Sequence, residues 1–210
     1  MNSSNSPTDV SPNANLVLAE VNGQTLTAED LNERVEAQLA QQAETLAPNQ
    51  MAAAIARLRV ETVKDFINTI LMEGEAAERN LTVPPAELEK AMGEVAARLP
   101  PGTKLKEALA MGGMSLDELK ARLTKELRVK LLVDQELAGA PPATEADAEA
   151  FYNQQKAGLT SIRPFGECKT QILDHLNKLA RHNRYKAMLA RLKAKAVISL
   201  DPSIQAEIGE

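Results

Sequence analysis

Aromatic side chains are nearly absent from this chain of 210 residues: three Phe, two Tyr and no Trp amount to 2%. A core without large rings has to be filled by Leu, Ala, Val, Ile and Met, which favours helix packed on helix over a β-sandwich. Cysteine is limited to Cys168, which excludes an internal disulfide and a thiolate metal cluster and leaves the redox compartment open. The two histidines, His175 and His182, lie seven apart on one expected helix, whereas a helical metal pair sits three or four apart. They read as solvent-facing or helix-packing residues, and no metal is expected. No apolar run approaches the ~18 residues of a membrane span, and Met1 is followed directly by polar residues rather than by a leader. An excess of positive charge is also missing. The net charge is −5 with dispersed Lys and Arg, so there is no overall footprint for nucleic acid, although local basic faces remain open. The chain has no Gly-rich phosphate loop, no Ser/His/Asp spacing and no Cys/His arrangement, so no cofactor is expected.

What is present is amphipathic helix. With 44% apolar and 25% charged residues the chain can bury one good core or two small ones. The central stretch 49–80 places Ile55, Leu58, Thr62, Val63, Phe66, Ile67, Ile70 and Leu71 on one side of a long helix, with Asn49 as its expected cap. Before it, residues 1–15 form a Ser/Asn/Pro-rich tail expected to be disordered. From Leu16 an apolar run is interrupted by Asn22-Gly23, a hairpin signal, and Thr27 with Asp30 opens a helix through about residue 46.

After the central helix, Pro84-Pro85 restarts a helix that stops at Pro100-Pro101-Gly102. Thr103 is the expected cap of a short helix ending at Met111 before Gly112-Gly113. Ser115 with Glu118 forms a capping box for a helix whose Leu116, Leu119, Leu123, Leu127, Leu131 and Leu132 share a face. Thr144 with Asp147 opens a helix expected to end at Gly158. The last helix runs from about Pro164 to Lys195 with Ile172, Leu173, Leu176, Leu179, Ala180, Met188, Leu189 and Leu192 inward, and residues 196–200 read as a strand closed by Asp201-Pro202. A small hairpin is marginal alone, so this strand is expected to pair with residues 16–21 and bring the two chain ends together.

The order of these parts resembles the SurA/PrsA/PpiC-type parvulin foldases. The likeness is carried by AEVNGQTLTAEDL, NLTVPPAELEKAM, KLKEALAMGGMSLDELKARLTKELRVKLL, ATEADAEAFYNQQK and the ending PFGECKTQI with YKAMLARLKAKAVISL. It implies a mostly α, SurA N-terminal-like helical chaperone domain with a minimal β-sheet formed by the N- and C-terminal strands. The expected layout is a single domain over 16–200, built from 16–157 and 162–200, followed by a tail at 201–210. The parvulin isomerase domain that family members insert between the two parts would fall at about 158–163, where only AGLTSIR is present. Thr160-Ser161 marks that splice, either as a natural short linker or as an engineered junction.

The resemblance therefore implies an ATP-independent chaperone of unfolded or extended polypeptides, periplasmic or otherwise extracytoplasmic, without isomerase activity of its own. The alternatives are a peptidyl-prolyl isomerase whose catalytic domain is missing from this chain, or an assembly module for one dedicated partner. A second arrangement, a homodimer made by swapping the C-terminal helix, follows from the short hinge near 158–163. The client-binding candidates are Met92, Leu99, Leu109, Met111 and Met114, around the breaks at Pro100-Pro101-Gly102 and Gly112-Gly113. Unbranched methionines suit a surface that accepts unrelated sequences, and they also serve as gap-fillers in a core poor in aromatics.

Overall fold

The Asn22-Gly23 pair makes the tight turn expected of it, with both residues at positive φ (49° and 82°), as a two-residue hairpin of matching twist requires. In a computed structural model of the protein, residues 14–42, 47–156 and 163–209 are described. The expectations for all but the last two residues of the tail at 1–15, for the end of the first helix at about residue 46, for the helix end at Gly158 and for the splice at Thr160-Ser161 lie outside them. The chain forms two compact units, one of residues 1–71 with 193–210 and one of residues 72–192.

In the first unit, β1 (Val17–Val21) and β2 (Gln24–Thr27) pair antiparallel with Ala19 opposite Leu26, and β3 (Ile198–Leu200) pairs antiparallel with the other edge of β1, Ala19 opposite Leu200. The strand order β2-β1-β3 unites the chain ends as expected. Asn22 secures the join: its N–H donates to the Val197 carbonyl at 3.0 Å, and its Oδ1 accepts from the Val197 N–H at 3.1 Å. The β1–β2 register is irregular between Val17 and Ala19, which lets the adjacent Leu18 and Ala19 both be buried. Ala14, within the expected tail, is tied to the first helix, because its carbonyl accepts from the Glu29 N–H at 3.1 Å.

Helix α1 (Ala28–Gln42) starts on a reciprocal cap, in which Thr27 Oγ1 accepts from the Asp30 N–H at 3.1 Å and the Asp30 carboxylate accepts from the Thr27 N–H at 3.0 Å. The Thr27 hydroxyl, which also donates to that carboxylate at 2.7 Å, and then the Thr27 N–H hold the Asp30 carboxyl below its ordinary range. Helix α2 (Met51–Glu78) follows a 3-10 turn at Pro48–Gln50. Asn49 therefore sits inside that turn rather than capping the helix. The apolar stripe of α2 is buried at Leu58, Val63, Phe66, Ile67, Ile70 and Leu71.

Where the sequence reading leaves a tail at 201–210, the chain forms α8 (Pro202–Ile208). The Asp201 carboxylate accepts from the Ser203 N–H at 2.9 Å, Pro202 occupies the first helical position, and Gly209 closes the helix at φ 75°. Ile204 is only 1% exposed. Arg59 of α2 donates to both Glu207 carboxylate oxygens, at 3.1 and 3.2 Å. The Asp-Pro pair that ends a strand is equally a cap followed by a favoured first residue, and the buried Ile204 gives the helix a reason to persist.

The second unit begins with the end of α2 and contains α3 (Pro85–Ala97), α4 (Leu105–Met111), α5 (Leu116–Ala138), α6 (Glu145–Lys156) and α7 (Phe165–Lys195) through Leu192. Ser115 and Glu118 form the expected capping box, with bonds of 3.1 and 2.7 Å. Thr144 and Asp147 cap α6 in the same way. Thr103 does not cap α4. Lys104 holds that position in extended conformation and makes no side-chain cap bond. Core residues include Met72, Ala76, Leu119, Leu132, Ala148 and Met188, whereas Leu179, expected inward, is 43% exposed.

Within this unit α2, α5 and α7 are joined by charge. The Glu136 carboxylate accepts from Arg79 at 2.8 Å and Arg191 at 2.9 Å, Arg79 also reaches Glu75 at 2.5 Å, and Arg184 Nε donates to the Glu136 backbone carbonyl near the end of α5. The bonds from Arg191 and then Arg79 pull the Glu136 carboxyl below its ordinary range, and those from Glu136 and Glu75 raise Arg79.

Candidate functional site

Helices α3 and α4 bury no residue completely, although both carry apolar side chains at helical spacing. The positions of the α3 side that face α5 follow a three-and-four pattern, the apolar Ala91 and Val95 alternating with the charged Glu94 and the C-cap Arg98, and α5 answers with Leu119, Leu123 and Leu127 in steps of four. Between the two helices lies a groove of about 560 Å³. Leu119 and Leu123 are buried at its base, and Leu109 of α4 with Met114 of the following turn completes the apolar lining.

Charged side chains line it as well: Glu94 and Arg98 from the α3 side, and Arg122, Glu126 and Lys130 from α5. Arg122 Nε donates to Glu126 at 2.9 Å, and Lys130 donates to Asp134 at 2.7 Å, a bond that raises the Lys130 ammonium above its ordinary range. Arg98 and Glu94 make no ion pair among the described residues. The long Arg and Lys stems add apolar surface while their heads stay in water.

The structure divides the sequence candidates. Leu109 and Met114 line the groove. Met92, half-buried on α3, and Leu99, half-buried just past its end, are not part of the lining. Met111 points away into solvent at 90% exposure. The charged residues at the groove are not among the sequence candidates. The signal that could have found them was the shared stepping of Ala91 with Val95 and of Leu119, Leu123 and Leu127, which predicts two facing stripes. No nucleophile paired with a base lies in the lining, so what the arrangement offers is apolar burial with flanking charge. Among the described residues no three His, Cys, Asp or Glu gather as a metal would require. His175 instead packs against Phe151 in a tilted ring pair, with ring centres 5.4 Å apart and planes inclined by 47°.

A family model described as the SurA-like N-terminal domain matches residues 2–133. Over 122 residues, 55% of the chain, the sequence is 26% identical to the NifM protein of Azotobacter vinelandii, which carries a provisional assignment as a peptidyl-prolyl cis-trans isomerase. The match spans 41% of that relative's length. Among solved structures the fold is similar to a chain from the work on PEB4 and the periplasmic protein Cj1289, two structurally related SurA-like chaperones of Campylobacter jejuni. The TM-score is 0.52 at 12% identity, covering 89% of this chain and 99% of that one.

Proposed function

This chain belongs to the SurA-like N-terminal domain family, and from that premise we propose that it is an ATP-independent chaperone domain that holds unfolded or extended polypeptide in the groove between α3 and α5. The observation that carries this reading is the groove itself, an open apolar trough lined by two helices of which one buries no residue completely. A floor of Leu side chains with Met114 accepts varied apolar side chains without demanding one shape. Affinity for any one segment is weak, because an unfolded client has to be ordered on binding. The compartment we assign is the periplasm or another extracytoplasmic space, supported by the likeness to a chain from the work on PEB4 and Cj1289, of which Cj1289 is named as periplasmic.

The layout we propose is one chaperone domain assembled from 16–157 and 162–200, joined by α8 at its C-terminal side, with the family's isomerase domain absent at about 158–163. The partial coverage of NifM supports a relationship to longer proteins that carry more than this chaperone part. The same match favours a second reading, in which the chain is the binding part of an isomerase. Catalysis in a proline-peptide assay that survives repurification would overturn the absence of an isomerase domain from this chain.

The test of the groove is suppression of aggregation, followed by light scattering of a reduced, unfolding client. Val95→Glu with Leu127→Glu places charge on both half-buried walls and should raise the amount of protein needed for protection severalfold, while Met111→Ser should change nothing. Ala91→Gln with Met114→Ser is the milder pair if the first variant melts early. Full protection by a folded groove variant would place client binding elsewhere. A single tight ligand in place of general protection would favour a dedicated assembly partner.

A further inference from the structure

Helix α7 carries a feature that the groove does not use. Seven of the chain's 24 Lys and Arg, and none of its 29 Asp and Glu, fall between His175 and Leu200. Arg184 and Arg191 are engaged with Glu136. Lys178, Arg181 and Lys186 are exposed and make no ion pair among the described residues. Lys178, His182 and Lys186 follow one another in steps of four, which aligns them in a single row along the helix surface, and Arg181 lies one turn from Lys178 beside that row. The row is about 12 Å long at 1.5 Å per residue. Leu179, 43% exposed, stands next to it.

We infer that this row is a contact surface for the headgroup layer of an anionic phospholipid membrane. The row lies on the outer surface of a long helix, which suits a flat partner, whereas a bound peptide is held in a concavity. Lysines with an adjacent exposed leucine match the boundary between headgroups and acyl chains, where cations meet phosphate and an apolar side chain dips inward. Nucleic acid is less well suited, since the row offers one exposed ring, His182, and the neighbouring Tyr185 is half-buried with its hydroxyl on Met72 Sδ, too few for a run of stacked bases. The contact is peripheral: no helix of the described residues is long and apolar enough to cross a membrane. It does not depend on the groove.

Co-sedimentation of the whole chain with phosphatidylcholine vesicles, with and without phosphatidylglycerol, tests this directly. Binding should require phosphatidylglycerol and fall steeply with salt. Each cation near an anionic bilayer is worth roughly fivefold in partitioning, so Lys178→Gln, Arg181→Gln and Lys186→Gln together should weaken it on the order of a hundredfold. The same triple variant should keep its helical melt and its client protection. Lys90→Gln, Lys106→Gln and Lys125→Gln make the same change in net charge at other exposed positions and should cost no more than a few fold. Undiminished binding by the α7 variant, equal loss in the control, equal binding to pure phosphatidylcholine, or capture of poly-glutamate or duplex DNA while vesicles are ignored would each overturn the assignment.

Discussion

Replacing Glu136 by Gln tests whether the charge cluster of the second unit holds its helices together. The substitution keeps shape and removes a carboxylate whose side chain is 12% exposed, leaving Arg79 with Glu75 alone and Arg191 with a longer 3.7 Å approach to Glu75. A hydrogen bond to a charged group contributes about 1.5–3 kcal/mol when sheltered. Arg191 is 45% exposed and Arg79 33%, so solvent screening reduces both, and the expected loss is about 2 kcal/mol at neutral pH. For a chain of this size that is a fall in melting temperature of about 4–8 °C.

The pH dependence gives the sharper test. Because Arg191 and Arg79 hold the folded Glu136 carboxyl below its unfolded value, its contribution is fully present above that unfolded value, about 4.3, and is lost as pH falls through the lowered folded value. Thermal melts followed by circular dichroism should show a constant gap between parent and variant from pH 8 to about 5, closing progressively below about 4. A gap that persists unchanged in strong acid, or no gap at neutral pH, would refute the argument that this carboxylate binds the helices by charge.

Other expectations follow from the same reasoning. Ile204→Ala should cost about 2–5 kcal/mol, because the side chain is 1% exposed, and urea unfolding should show the loss; an unchanged midpoint would mean α8 is an ornament rather than part of the first unit. Ser115→Ala removes one half of the α5 capping box and should lower the melting temperature by about 2–4 °C, with Ser115→Gly losing less.

Much of this protein is local and could be read along the chain. The Asn22-Gly23 turn, the Thr27–Asp30, Ser115–Glu118 and Thr144–Asp147 caps and the stripe of α2 depend on residues two to four positions apart, so a linear pattern contains the whole interaction. The pairing of the two chain ends was legible too, because a short hairpin needs a third strand and residues 196–200 supplied the one remaining candidate. The sequence of parts was enough to place the family.

The site was legible only in outline. Met111 and Met114 are three residues apart and chemically identical, yet one is 90% exposed and the other lines the groove. The difference arises from how α4 turns into α5, at Gly113 with φ 72°. Glu136 meets Arg79 and Arg191 across 57 and 55 residues, and no spacing rule reaches that far. Local hydrogen bonding determined where helices begin and turn. Tertiary packing decided which apolar faces became core, which became groove and which charges found partners, because those outcomes depend on how distant helices meet.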